Sequence, residues 1–319
     1  MKFSPEKAIA TSIFLWCLVL LAAGGAASTA AADKPYQHLV ILGDPHLPGK
    51  YLSAKEQVIQ TINSWNDADM VVAVGDLCED RGTQEEYAAV KRFFAGLQKP
   101  LYPVAGNHDY IYEDSPGPGG KRIRGGSDSR EAKLGRFRAT FGQEETYYSR
   151  KAGNYLLVFL AVESPEHLAV ESPEHLAQMT ERQLEWLRSE LQKERRSPAI
   201  IFFHAPLQGT LQNYNSHVNT ANYVAQPAAA IHDILAGNPQ VFLWVSGHTH
   251  TSPREGSYAS AINVYDTRVT NIHNTDMNRA TIWTNSLFLY PDKVVVKTYD
   301  HKSSAWMPEF ERTIARPGL

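Results

Sequence analysis

Short apolar runs and amphipathic stretches take turns along the chain, and their spacing predicts most of its elements. Residues 36–43, YQHLVILG, carry the apolar run LVIL at 39–42, closed by a glycine. A run that short, apolar on both faces, predicts a buried strand. Residues 53–66 instead place Val58, Ile59, Ile62 and Trp65 on one helical face, and Ser53 with Glu56 supplies a capping box at its start. DMVVAV at 69–74 predicts a second buried strand. Thr83 and Glu86 cap a second helix with Tyr87, Val90, Phe94 and Leu97 on its inner face, and LYPV at 101–104 predicts a third strand. YLLVFLAV at 155–162, PAIIFF at 198–203 and VFLWVS at 241–246 repeat the strand pattern, and Thr180 with Gln183 caps a helix carrying Leu184, Leu187 and Leu191. From 258 onward the chain is strand-rich, with ATIWTNSLFLY and KVVVKTYD joined at Pro291-Asp292 as a hairpin. Strands alternating with helices predict parallel pairing and a layered α/β domain. No linker composition interrupts 33–319, so a single domain is expected.

Three segments depart from this pattern. The first 32 residues begin with Lys2 and Lys7, continue as an apolar run over 8–23, and end in small residues up to Ala30-Ala31-Ala32. That is the three-part pattern of a secretory signal peptide, with cleavage expected after Ala32 and a periplasmic or extracellular protein as the product. The run is short for a membrane span and is broken by Gly24-Gly25, so no stable span is expected after cleavage. Cys17 does not sit at the cleavage point, which argues against a lipoprotein anchor. Residues 112–130 are rich in Gly, Pro and Ser, with Lys121, Arg122, Arg124 and Arg130 interleaved. They predict a long loop, either a functional cover or a mobile insertion, whose basic residues either meet an anionic substrate or are merely solvated. Residues 161–176 repeat AVESPEHL in tandem. Two copies are too few for a solenoid, so the repeat is read as a lengthened surface loop. A duplicated loop is a poor device for fixing ligand geometry, so His167 and His175 are not expected to bind metal.

Composition changes this picture little. A hydrophobic fraction of 43% and a charged fraction of 20% over 319 residues are those of a globular protein. The net charge is -3. Removing Lys2, Glu6 and Lys7 takes away a net +1, leaving the mature chain at -3 - 1 = -4. Such a balance gives no reason to expect nucleic acid as a partner. The mature chain keeps one cysteine, Cys78, so an intramolecular disulfide is excluded; Cys78 reads as a small buried side chain.

The chemistry lies in the polar residues just past the apolar runs. YQHLVIL leads into GDPH, which gives Asp44 and His46; MVVAV into GD, which gives Asp76. LYPVA leads into GNHD, which gives Asn107, His108 and Asp109; AIIFF into His204; and VFLWVS into GHTH, which gives His248 and His250. Each piece alone is a common turn. Their joint occurrence, in order, at the carboxyl ends of predicted strands is not, because open α/β sheets build their sites there. Imidazoles, carboxylates and one amide, without a thiolate, suit Mn, Fe, Zn, Co or Ni. The set exceeds what one ion needs and suffices for two ions sharing a carboxylate, roughly 3.5–4 Å apart.

Asp44-x-His46, Gly75-Asp76, Gly106-Asn107-His108-Asp109, His204 and Gly247-His248-x-His250 resemble the full motif set of the calcineurin-like metallophosphoesterases. The motifs span 43–250. The resemblance implies a four-layer α-β-β-α fold with two mixed central sheets flanked by helices. It assigns Asp44, His46 and His250 to one divalent metal ion and Asn107, His204 and His248 to the other, with Asp76 bridging. A hydroxide held between the ions would attack phosphorus in a small phosphate-ester substrate, monoester or diester. His108, left without a metal, would contact the phosphate and protonate the leaving oxygen, kept protonated by an acidic neighbour, Asp80 or Asp109. Asp109 reads equally well as a turn cap. Two branches of the family fit poorly. GDLCEDRG has one residue more between Asp76 and Asp80 than the phosphoprotein phosphatases have. Glu79 stands where purple acid phosphatases place a metal-binding tyrosine. Bacterial phosphodiesterase-like members are the nearest in general look. The alternatives are a catalytically silent, metal-bound protein that binds phosphorylated ligands, and a nuclease, for which the near-neutral charge gives little support. Tyr110, Tyr112 and Tyr214 are candidates for stacking on a nucleobase, with packing as the plainer role.

Overall fold

A computed structural model of the chain describes Met1, residues 34–163 and residues 175–318. The chain divides into an amino-terminal unit, Met1–Lys34, and a unit Pro35–Leu319 that carries the strands and helices. The signal-peptide expectation lies outside the described residues, as does most of the tandem repeat, including His167. Among the described residues no helix is long and apolar enough to cross a membrane.

In chain order the elements are β1 (Gln37–Leu42), α1 (Leu52–Ser64), β2 (Ala68–Val74), α2 (Gln84–Phe94), β3 (Leu101–Val104), α3 (Ser127–Phe141), β4 (Tyr148–Ala152), β5 (Tyr155–Phe159), α4 (Glu181–Lys193), β6 (Ala199–Phe202), α5 (Ala228–Gly237), β7 (Val241–Ser246), β8 (Val264–Tyr265), β9 (Val269–His273), β10 (Trp283–Leu289), β11 (Lys293–Asp300) and β12 (Ala305–Ala315). They build two six-stranded sheets, ordered β12-β11-β10-β1-β2-β3 and β4-β5-β6-β7-β9-β8. Both sheets are mixed. In the first, β1, β2 and β3 run parallel and β10 to β12 antiparallel; in the second, β5, β6, β7 and β9 run parallel with β4 and β8 antiparallel at the edges.

The unbroken apolar runs are explained by burial on both faces. In β1, Leu39 and Ile41 pack between the sheets with Val72, Val74, Phe159 and Phe202. Val40 and Leu42 point the other way, against Val58, Ile59 and Ile62 of α1 and Val90 of α2. The second sheet does the same, with Val158, Ile201 and Trp244 packed against α4 and α5. Helix, sheet, sheet, helix is the expected four-layer arrangement. Its consequence for the site is that β1, β2, β3, β6 and β7 all end on the same rim.

Several local expectations hold. Thr83 and Glu86 form the capping box of α2, with Thr83 Oγ1 accepting from Glu86 N at 3.3 Å and Glu86 Oε2 accepting from Thr83 N at 2.9 Å. Thr180 Oγ1 accepts from Gln183 N at the start of α4. β10 and β11 form the hairpin across Pro291-Asp292.

Others do not. Ser53 does not cap α1: the helix starts at Leu52 after Tyr51, which is left-handed (φ 58°) and makes no side-chain cap. The buried Lys55 directs this start, donating to His46 O and Asn278 Oδ1, both at 2.7 Å, and drawing the first turn down onto the preceding loop. The loop expected over 112–130 ends early, because α3 begins at Ser127. This helix escapes hydrophobic periodicity because Lys133 shares its buried face with Leu134 and Phe137. Lys133 Nζ is satisfied there by Arg81 O at 2.5 Å and Asp114 Oδ1 at 2.7 Å.

Candidate metal centre

The strand-end residues converge. One donor atom each from Asp44, His46 and His250 lies within 4.8 Å of the others, and the same holds for Asp76, His204 and His248 and for His46, Asp76 and His108. Asn107 Oδ1 lies 3.1 Å from His204 Nε2, beside the second group. Nothing in this cluster is scattered over other faces: Asp44, Asp76, Asn107, His204 and His248 are all buried at the rim where β1, β2, β3, β6 and β7 end. His175 belongs to none of these groups; its backbone N–H donates to Gln178 Oε1.

The histidines are oriented from behind, and here the structure supplies residues the sequence did not reveal. His204 Nδ1 lies 2.9 Å from Val74 O, His248 Nε2 2.9 Å from Asn222 O, and His250 Nδ1 2.9 Å from Asp276 Oδ2. Asp276 is itself held by Arg279 Nε at 2.6 Å, and Arg279 Nη2 also donates to His250 O. Glu79 O faces two rings, His46 Nδ1 at 3.2 Å and His108 Nδ1 at 2.8 Å. Fixing one ring nitrogen on an acceptor selects the tautomer that turns the other nitrogen, as a lone pair, toward an ion. Val74, Glu79 and Asn222 act through backbone carbonyls, which any residue could supply, so their identities carry no signal. Asp276 lies in the connection between β9 and β10 and belongs to no motif.

Backbone strain marks the same residues. Asp44 (φ 37°), His46 (φ 45°), Asp76 (φ 48°), His248 (φ 65°) and His250 (φ 50°) all take left-handed conformations. For a residue with a Cβ this costs roughly 1–2 kcal/mol each, although Asp and His tolerate it better than most. The loops thus fold back on the strand ends and aim their side chains across the rim. The glycine beside them is needed where two ligand loops touch. A Cβ on Gly247 would lie 2.4 Å from Asp44 Oδ2. Gly247→Ala should therefore push Asp44 aside and weaken metal binding at its position by at least about tenfold; elemental analysis of the purified variant checks this, with Asn107 and His204 unaffected.

The two acidic candidates behind His108 have other partners. Asp109 is fully buried and accepts from Cys78 N at 2.8 Å and Gly106 N at 2.7 Å, which ties the β2 loop to the β3 loop. Asp80 pairs with Arg122 Nε at 2.5 Å and Arg81 Nη1 at 3.2 Å. Neither hydrogen-bonds to the His108 ring. Burial moves its pKa below the usual 6.5, against the opposing pull of Asp76, and Asp80 acts on it through charge alone. Cys78 is buried and its thiol is pushed well above the usual range by burial, which leaves it no nucleophilic role.

The electrostatics fit cations. Burial works to raise Asp76, but His204 and His108 hold it well below the usual carboxylate range. Burial acts to lower His204, yet Asp76 and Asp44 raise it to about 9, while burial above all takes His46 and His248 down to about 3. Without an ion, the proton on His204 is what neutralises the buried carboxylates. That raised pKa stabilises the protein fully below the unfolded value of 6.5, and the contribution is lost as pH rises through about 9. A metal ion requires the neutral imidazole and displaces that proton. Metal uptake at about pH 8 should release more protons than uptake well above pH 9, where His204 is already neutral, as titration calorimetry in buffers of different ionisation enthalpy will register.

The cleft over these donors has a volume of about 820 Å³ and is lined largely by polar groups, among them Arg81, Arg122, Thr249 and Asn278. The tyrosines considered for stacking are already engaged elsewhere. Tyr110 is buried, Tyr112 is covered by the Arg122 guanidinium at 5.4 Å, and Tyr214 Oη is bonded to Thr249 and Thr251. Tyr223 stacks on both His217 and His248, with ring centroids 5.1 and 5.0 Å away.

This architecture and donor set define a metallophosphoesterase. The calcineurin-like phosphoesterase family model matches residues 38–252, and the chain belongs to that family. No curated protein matches the sequence. Among solved structures, a dimetal phosphatase from Danio rerio is similar over 89% of this chain and 100% of its own, with 14% identity and a TM-score of 0.58. A purple acid phosphatase from yellow lupin is similar over 88% of this chain and 54% of its own, with 17% identity and a TM-score of 0.56. GAP50, the anchor in the inner membrane complex of Plasmodium, is similar over 89% and 90%, with 12% identity and a TM-score of 0.53. These likenesses establish the fold.

Proposed function

We propose that the chain hydrolyses small phosphate esters, monoesters or diesters, at a dinuclear metal centre. The single observation that carries this is the convergence of the complete donor set with His108 beside it. The fold alone does not decide, since it is shared by phosphatases and by an anchor protein. A silent relative has no need to keep every donor, each with its outer nitrogen bonded.

Asp44, His46 and His250 would hold one ion and Asn107, His204 and His248 the other, with Asp76 between them. Such ions supply a nucleophile at neutral pH and neutralise charge on the phosphate. The protein's own contribution is positioning. His108 donates Nδ1–H to Glu79 O, which leaves Nε2 facing the centre, 3.8 Å from Asp76 Oδ2. An anionic phosphate arriving at Nε2 adds negative charge directly beside the ring, where neither Asp80 nor Asp109 makes a hydrogen bond. It favours the protonated ring, which then gives its proton to the leaving oxygen. The test is a panel of phosphate monoesters, phosphodiesters and cyclic nucleotides with manganese-loaded protein. Turnover of at least one class is expected; a fully loaded protein inert toward all of them would overturn the reading.

Export is part of the same proposal, on the strength of residues 1–32. Sequencing the amino terminus of the protein recovered outside the cytoplasm should give Asp33 first, and an intact leader would refute it.

A further inference from the structure

Arg122 is placed at the cleft in a way the phosphoester chemistry does not require. It comes from the long segment between β3 and α3. Its Nε is bound to Asp80 Oδ1 at 2.5 Å, and its guanidinium lies over the Tyr112 ring. The other oxygen of Asp80 is taken by Arg81 Nη1 at 3.2 Å. Two arginines share the Asp80 carboxylate, and Glu79 and Glu86 line the same cleft, so what Arg122 offers is a local guanidinium edge and not a net positive wall. Among the described residues, Arg122 uses only Nε in a hydrogen bond. Both Nη groups stay available, and those are the atoms that grip a carboxylate or phosphate in parallel.

The segment that delivers Arg122 is not loose. Asp114 is held by Lys133 Nζ at 2.7 Å and Arg136 Nη2 at 2.9 Å, both from α3. Arg136 Nη1 reaches across to Gly82 O, so α3 fastens the Arg122 segment and the Asp80 loop together. Glu113 N donates to Ile123 O at 2.8 Å, directly beside Arg122. Depth separates Arg122 from the reacting position. Asp76 and His204 are buried and His108 is 12% exposed at its side chain, whereas the Arg122 side chain is 43% exposed at the rim. It is still close enough for its charge to act on Asp76 and His108.

We propose that Arg122 is a specificity-determining residue that engages a second anionic group on the substrate, one group removed from the phosphate being cleaved. The inference rests on the phosphoesterase reading of the centre. It narrows the substrate to small, hydrophilic phosphate esters whose alcohol portion bears a carboxylate or a further phosphate. The Tyr112 face fits this, because the Arg122 guanidinium already lies over it.

The experiment uses a matched pair of competitors, ethyl phosphate and phosphoglycolate, which differ by one carboxylate. Each is titrated against the turnover of a chromogenic phosphate ester by the metal-loaded full chain. The wild type should bind phosphoglycolate at least about tenfold more tightly, as expected for a charge-assisted bidentate contact. Arg122→Gln should bring the ratio close to one, and Arg122→Lys should keep part of it, with metal content the same in all three. A general structural defect would weaken both competitors alike and leave the ratio standing. A wild-type ratio near one, or a ratio unchanged in Arg122→Gln, overturns the proposal while leaving the phosphoesterase reading intact. If the metal-loaded wild type turns over neither a chromogenic ester nor any member of the phosphate-ester panel, the phosphoesterase reading itself fails and takes this inference with it.

Discussion

Replacing Asp76 with alanine should empty both metal positions and lower turnover by at least about 10⁴-fold, since the ions of the proposed centre would supply both the nucleophile and the charge neutralisation. Asp76 is the one carboxylate common to two of the three donor groups, with His204 and His248 in one and His46 and His108 in the other. His204 Nε2 lies 3.3 Å from Asp76 Oδ1, and His46 Nε2 4.0 Å from Asp76 Oδ2. Asp76 Oδ1 also accepts the His108 backbone N–H at 2.8 Å, so the β3 loop loses an anchor along with the ligand. Removing the carboxylate takes away the principal cause of the raised His204 pKa, and the buried ring should then become neutral. Elemental analysis decides the matter: full occupancy of both positions in Asp76→Ala would contradict the bridge. Circular dichroism should show the fold retained, because the two sheets and their helices do not depend on this side chain.

Replacing His108 with alanine should lower turnover by about 10²–10⁴-fold, the usual range for a lost general acid, while metal content stays unchanged. The separation of the two effects follows from geometry. The backbone N–H of residue 108 keeps its bond to Asp76 whatever the side chain, so the bridging carboxylate is not released. Asp44, His46, His250, Asn107, His204 and His248 retain their own supports. The loss should also depend on the leaving group. An alkyl phosphate, whose alkoxide is a poor leaving group, should suffer more than a 4-nitrophenyl ester, which departs without help. Comparing kcat for the two esters in wild type and variant tests this. Equal losses, or loss of metal with activity, would show that His108 was given the wrong role.

Most of the scaffold is legible in the chain because burial on both faces writes unbroken apolar runs into it. β1, β2, β3, β6 and β7 all show themselves that way, and the polar residues after each stand out against them. α3 does not, because its inward face carries Lys133 and its docking adds hydrogen bonds to Arg81 O and Asp114 to the apolar contacts of Leu134 and Phe137. Local capping rules succeed for Thr83 and Thr180, whose partners are three residues away. They fail for Ser53, where Lys55 reaches from the helix to His46 and Asn278, the latter separated from it by 223 positions.

The amino-acid sequence by itself determined which side chains would meet, since a carboxylate, imidazole or amide placed just past the end of a buried parallel strand has little choice but to face the common rim. Only the folded chain decided how each is aimed. Asp276 behind His250, the Glu79 carbonyl behind His46 and His108, and the Asn222 carbonyl behind His248 come from segments with no pattern linking them to their partners. The left-handed turns at Asp44, Asp76 and His248 are likewise imposed by surrounding structure against local preference. The physical reason is range. Periodicity and capping act within a turn or two of the chain, whereas the orientation of a ring depends on whichever acceptor the tertiary packing brings within about 3 Å of its outer nitrogen.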